Sequence, residues 1–201
     1  MENIKLERNP IPLVCKVIRD EFIEASEIAF DCLFDGESKF YPWKLPTLPT
    51  KFGIGVIVGS SGSGKTNLLK EFGTEEIPLW DDNKSIISHF ETPNDGINKL
   101  TAVGLNSIPS WYRPYNVLSN GEKFRADLAR KLKSNCVIDE YTSVVDRNVA
   151  KAASVSLSKY VKKNNLENVV LSTCHRDILD WLEPDWVMDL DTGELIPDFF
   201  F

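Results

Sequence analysis

Apolar positions along the chain fall into two periods. Short runs rich in Val, Ile and Leu, bounded by turn residues, predict strands at "PLVCKVI" (12–18), "IGVIV" (54–58), "CVID" (136–139) and "NVVLST" (168–173). Spacings of three and four predict helices. They fall in "SEIAFDCLFD" at Ile28, Ala29, Cys32 and Leu33, from Lys65 to about Phe72 with Gly73 as C-cap, over 122–133, over Arg147–Lys163, and in "RDILDWL". Gly36, Pro42, Pro46 and Pro49 make 36–52 a loop, and four prolines break 74–117 into short elements. "WVMDLDTGELI" predicts a hairpin turning at Asp191-Thr192-Gly193. Strands alternating with helices, with no internal repeat, predict an α/β fold with a parallel sheet.

Length and composition add bounds. At 201 residues the chain fits one domain, 1–201, large enough for a real core. A formal charge of −7 argues against a generally basic nucleic-acid coat. The local cluster of Lys123, Arg125, Arg130, Lys131 and Lys133 reads as a solvated helix face. Cys15, Cys32, Cys136 and Cys174 lack metal-site spacing, and three of them, lying in or beside apolar runs, read as small buried residues. "MENIKLERNP" has no signal-peptide core and no run is long enough to span a membrane, so a soluble cytoplasmic protein is expected.

Two stretches carry chemistry. "GSSGSGKT", comprising Gly59, Ser60, Ser61, Gly62, Ser63, Gly64, Lys65 and Thr66, sits between a predicted strand and a helix that continues through Asn67. It matches GxxxxGK[ST], in which glycines let successive backbone N–H groups turn toward phosphate oxygens. Lys65 would reach the β/γ-phosphates and Thr66 would be a Mg²⁺ ligand. In "CVIDE", Asp139 and Glu140 end an apolar strand. There Asp139 suits Mg²⁺ and Glu140 suits a general base polarising water. An acidic pair is also a common way to begin a loop. "NVLSNGEKFRADLAR" sets Ser119, Asn120 and Gly121 before a helix that begins with Glu122. By itself this is a Ser-capped helix behind a turn, and equally an anion site.

Taken in order, the phosphate loop, the Asp-Glu pair and "LSNGE" (Leu118–Glu122) resemble the ATP-binding cassette (ABC) ATPases. The resemblance implies a P-loop NTPase core that binds ATP and Mg²⁺. It also implies a head-to-tail homodimer, in which Ser119, Asn120, Gly121 and Glu122 contact the nucleotide held by the partner copy. "SVVD" (Ser143 to Asp146) is similar to the D-loop, and His175, 35 residues after Glu140, to the switch histidine that contacts the γ-phosphate. With Glu140 and Lys65, His175 then completes the catalytic set. Cys174 reads as core, and "DLDTG", which resembles an aspartic-protease motif, reads as a turn.

The chain departs from the family pattern in several places. Asn120 replaces a glycine, tolerated because Asn visits left-handed geometry. Glu122 replaces a glutamine, and no glutamine occurs in the chain, so His89 or Glu91 would stand in for the family's metal-touching Q-loop residue. Phe40, Tyr41 and Trp43 are alternatives for stacking on adenine, and equally for packing.

Only 54 residues separate Lys65 from Ser119, which leaves a reduced helical subdomain and weakens a reading as a transporter subunit. Longer stretches such as "SWYRPYNVLSNGEKFRADLAR" are similar to soluble bacterial and phage ABC ATPases, some fused to acetyltransferase-like domains. The expected function is ATP hydrolysis driving a conformational switch on a protein or nucleic-acid partner. The alternatives are an ATP-binding switch with little hydrolysis, a transporter subunit and a P-loop kinase. "SIPSWYRPYNV", with Trp111, Tyr112, Arg113 and Tyr115, reads as core plus a salt bridge, or as a docking surface.

Overall fold

The computed structural model describes residues 3–199. In chain order the strands and helices are β1 (Ile4–Lys5), β2 (Leu13–Lys16), α1 (Glu21–Phe30), β3 (Glu37–Phe40), β4 (Ile54–Val58), α2 (Lys65–Leu69), α3 (Pro93–Ala102) and α4 (Ile108–Trp111). They continue with α5 (Asn120–Lys131), β5 (Val137–Ile138), α6 (Arg147–Lys163), β6 (Val169–Thr173), α7 (Leu179–Leu182), β7 (Trp186–Asp189) and β8 (Glu194–Pro197). One six-stranded sheet runs β1-β8-β7-β4-β6-β5, parallel from β7 to β5 and antiparallel where β8 and β1 extend it. β2 and β3 pair separately as an antiparallel ribbon.

Strand periodicity assigns the two faces. Ile54, Val56, Val58, Ile138, Val169, Leu171 and Val187 pack into one core with buried residues of α3, α5, α6 and α7. The alternate residues Ile57, Val137, Val170, Trp186 and Met188 pack on the other side with Leu68 and Leu69 of α2. Both β4 and β6 are buried along their whole length, as expected of a parallel sheet covered on both faces. The Trp186 indole lies across Gly55 and between Phe52 and Phe72.

α6 runs Arg147–Lys163 as expected, because Asp146 accepts the N–H groups of Asn148 and Val149 and begins the helix abruptly. α5 begins at Asn120, two residues before the expected start. Ser119 and Glu122 form a reciprocal capping box that draws Asn120 and Gly121 into the first turn. Asn120 therefore has no positive φ, and its tolerance of left-handed geometry is not used. Residues 37–40, expected in a loop, form β3 because they pair with β2 in register Leu13 to Phe40. The helix expected over 26–35 lies at 21–30 instead, between the Asp20 cap and a left-handed Asp31.

The β2–α1–β3 lobe leaves Ile11, Ile18, Phe22, Ile28, Phe30 and Leu33 largely exposed, and α1 buries no residue. Of the cysteines only Cys136 is buried. Cys15, Cys32 and Cys174 are exposed, so one cysteine is buried where three were expected, and Cys174 is not core: Cys15 and Cys32 lie on this open lobe and Cys174 just beyond the end of β6. Between α2 and α5 the only α-helices are α3 and α4, so the helical segment is short.

A methyl group on Gly55 would lie 2.0 Å from Trp186 Cζ2 in a filled core. We expect Gly55→Ala to lower stability by about 2 kcal/mol or more through overpacking, measured as the shift in urea midpoint. An unchanged midpoint would mean that the indole is free to move aside.

Candidate phosphate site

The site lies at the C-terminal ends of β4, β5 and β6, where a parallel sheet leaves its crevice. The loop after β4 starts with the Gly59 N–H on the Thr173 carbonyl (3.3 Å) and turns through Gly62 at φ +78°. A Cβ on Gly62 would meet nothing within 4 Å, so that residue faces open space. Gly64 (φ +103°) passes under Phe40, whose Cζ would lie 2.5 Å from an added Cβ. Only glycine satisfies both the angle and the approach.

Lys65 Nζ donates to the Gly59 and Ser60 carbonyls, at 2.9 Å each. Ser63 Oγ is buried within the loop with no hydrogen-bond partner. Trp43 braces the loop from outside by donating its indole N–H to the Ser63 carbonyl (3.0 Å), while the Arg8 guanidinium covers its ring at 3.7 Å. Of the three candidate aromatics, Trp43 is thus engaged, Phe40 contacts the loop, and Tyr41 is exposed.

Asp139 joins the three strand ends. It accepts the Thr66 hydroxyl (2.7 Å), the Ser172 hydroxyl and the Glu140 N–H (2.9 Å). Burial raises its pKa, but those hydrogen bonds and the Lys65 charge outweigh it, and the carboxyl stays below its usual range. Thr66 and Asp139 are hard oxygen donors in contact, a set suited to a divalent ion that takes its other ligands from phosphate and water. Among the described residues no group of three or more His, Cys, Asp or Glu side chains is placed to hold a metal.

Glu140 and Thr142 have positive φ (48° and 67°), costly for a β-branched residue. Between them Tyr141 is fully buried, its N–H on the Ser172 carbonyl (2.7 Å). This turn leaves Glu140 exposed beside the loop and brings Thr142 Oγ1 within 3.2 Å of His175 Nδ1. Burial, then the nearby Arg147 charge, depress the His175 pKa, which favours the neutral imidazole.

The stretch Leu118–Glu122 opens α5, and its Asn120 lines a cavity together with Asp139 and Glu140. Ser119 N–H and Oγ both donate to Glu122 Oε2 (2.9 and 2.8 Å), and Ser110 donates to Oε1. Ser143 is exposed, and Asp146 is the α6 cap.

His89 is not available as a metal ligand. Its Nε2 accepts the Asp81 N–H (2.9 Å), so Nδ1 carries the proton toward the Ser85 carbonyl (3.0 Å), and its ring packs edge-on to Trp80. Glu75, which pattern reading passed over in the broken stretch 74–117, accepts the Asp139 N–H (3.2 Å) and the Lys131 ammonium (2.7 Å). No local signal marks it, because it is singled out by lying beside the free edge of β5. Trp111 is buried and donates to the Leu105 carbonyl, Tyr115 stacks on Trp80 and donates to Asp127, and Tyr112 and Arg113 are exposed.

No protein-family model matches the chain, and no curated protein matches it in sequence. Its fold is similar to solved ABC cassettes. The post-hydrolysis dimer of the ATP-binding cassette MJ0796 bound to ADP and Pi matches with TM-score 0.63 at 15% identity, over 98% of this chain and 100% of that one. A dimeric structure of MJ0796, described as a bacterial ABC transporter cassette, gives 0.57 at 16%, over 92% and 93%. The archaeal ribosome recycling factor aABCE1, solved in complex with the ribosomal stalk protein aP1, gives 0.56 at 19%, over 74% of this chain and 38% of that one. At these identities the likeness establishes the architecture: an α/β P-loop NTPase fold of the ABC cassette type.

Three donors hold the Glu122 carboxyl down at about 2, the Ser110 hydroxyl first, then the Ser119 N–H and hydroxyl. A depressed carboxyl stabilises the fold above its unfolded pKa, and that contribution is lost as pH falls from about 4.5 toward 2. Glu122→Gln should therefore cost about 1 kcal/mol at pH 7, after discounting for solvent screening, and flatten the acid limb of stability. Urea denaturation at pH 7 and pH 3 measures both; an unchanged acid limb contradicts the assignment.

Proposed function

We propose that the protein is an ABC-type ATPase acting as a homodimer in the cytoplasm. It would use ATP binding and hydrolysis to switch a protein or nucleic-acid partner. The observation that carries this reading is the contact of Thr66 with Asp139, reached from β5 across β6, beside Lys65, Glu140 and His175. Loop amides and Lys65 would bind the phosphates, with Lys65 leaving the Gly59 and Ser60 carbonyls to do so. Thr66 and Asp139 would hold Mg²⁺, which neutralises phosphate charge. Glu140 would take a proton from water, and His175, held by Thr142, would orient toward the γ-phosphate.

Ser119 and Gly121 would complete the site of a second copy. The dimeric state described for the MJ0796 cassette structures supports that arrangement. The short α3–α4 segment favours a free-standing machine over a transporter subunit, and no helix among the described residues is long and apolar enough to cross a membrane. One feature favours the second reading, a nucleotide switch with little turnover: the Ser119 hydroxyl is already engaged by Glu122.

Phosphate release separates the two readings. We expect Mg-ATP turnover by the wild type, lowered by at least about 100-fold in Glu140→Gln through loss of the base and abolished in Lys65→Ala. Glu140→Gln with Mg-ATP should sediment as a dimer. Binding without turnover in the wild type would support the switch, and a Glu140→Gln protein that stays monomeric would exclude the two-copy site.

A further inference from the structure

The hairpin turn at "DLDTG" makes contacts that the ATPase scheme does not use. Both carboxylate oxygens of Asp191 lie 3.0 Å from the Ser60 N–H, and Oδ1 also accepts the Ser60 hydroxyl at 2.8 Å. Asp191 is held in turn by Arg176 Nη2 (2.6 Å). The same guanidinium makes a two-point pair with Asp189, Nε to Oδ2 at 3.0 Å and Nη2 to Oδ1 at 2.9 Å. Asp189, buried at the end of β7, further accepts the N–H groups of Asp191 and Thr192 at 3.0 and 3.3 Å, which fixes the turn. Arg176 is the residue directly after His175.

Ser60 is thus gripped on both sides: its N–H and hydroxyl by Asp191, its carbonyl by Lys65 (2.9 Å). If Lys65 turns to a phosphate, the Asp191 contacts become the side-chain hold on Ser60, beside the backbone bonds of Gly59 N–H to Thr173 and of Ser63 N–H to the Ser60 carbonyl (3.2 Å). A lone carboxylate beside a phosphate site would repel the ligand, and here Arg176 shares its charge between two carboxylates to limit that cost.

From this geometry we infer that Asp191 is a positioning residue, braced by Arg176 and Asp189, which presets the phosphate loop and ties it to the segment carrying His175. The inference rests on the nucleotide-binding reading for its consequence, but its geometric content stands apart from it.

The test uses the full chain and four variants: Asp191→Ala, Asp191→Asn, Arg176→Ala, and Asp191→Ala combined with Arg176→Ala. Hydrogen exchange is followed in nucleotide-free protein at 59–66, with 169–173 as the control for intact fold. Affinity for Mg-ADP is measured by calorimetry.

The brace predicts at least tenfold faster exchange at 59–66 in Asp191→Ala with the control unchanged, and Mg-ADP binding about tenfold weaker. Asp191→Asn keeps an acceptor for the Ser60 N–H and should stay within about threefold of the wild type on both readouts. Loss of Arg176 should weaken affinity no further once Asp191 is Ala, since the two act as one unit. The inference is overturned if 59–66 exchange is unchanged in Asp191→Ala. It is overturned equally if Ala and Asn tighten Mg-ADP alike, which would make Asp191 only a charge. Should Asp191→Ala not fold, Asp191→Ser, too short to bridge to Ser60, takes its place. A wild type that binds no Mg-ADP defeats the functional reading, and the exchange result still decides the brace.

Discussion

A single carboxylate, Asp139, holds the site together. β5 and β4 are not neighbours, because β6 lies between them. Asp139 bridges that gap with hydrogen bonds to Thr66, beyond the end of β4, and to Ser172 of β6. Each of these donors favours the ionised carboxylate and helps fix its position. The phosphate loop, the left-handed turn at Glu140 and the His175 contact through Thr142 all take their places from these three strand ends.

The layers behind the site serve that geometry. Two apolar cores clamp β4 and β6 from opposite faces, so the strand ends are held by buried aliphatic and aromatic packing. The loop itself is braced from outside the sheet by Trp43 at Ser63, Phe40 at Gly64 and Asp191 at Ser60. In contrast, α1 and the ribbon β2–β3 present apolar side chains with little burial.

Elements with a strong period were legible in the sequence. Both the β4 and the α6 boundaries follow directly from an apolar run and an Asp cap, and the hairpin turns at 191–193 as its residues dictate. The phosphate loop and the Asp139–Glu140 pair were legible because their chemistry is local. What escaped depends on tertiary contact. β3 exists only by pairing with β2, across a helix and two turns. His89 looked free until the fold placed main-chain groups on both ring nitrogens, and Glu75 gained meaning only from its place beside β5. The early start of α5 is encoded by Ser119 and Glu122 as a capping box, which overrides the turn preference of Asn120-Gly121.

In the proposed site Thr66 and Asp139 together make nucleotide binding depend on magnesium. Calorimetric titration of the wild type and of Asp139→Asn with ATP, in magnesium and in EDTA, addresses it with no assumption about turnover or partner. The account predicts that magnesium tightens ATP binding to the wild type by at least about tenfold, and that this advantage disappears in Asp139→Asn while metal-free binding persists. Equal wild-type affinity with and without magnesium, or no ATP binding at all, would contradict it.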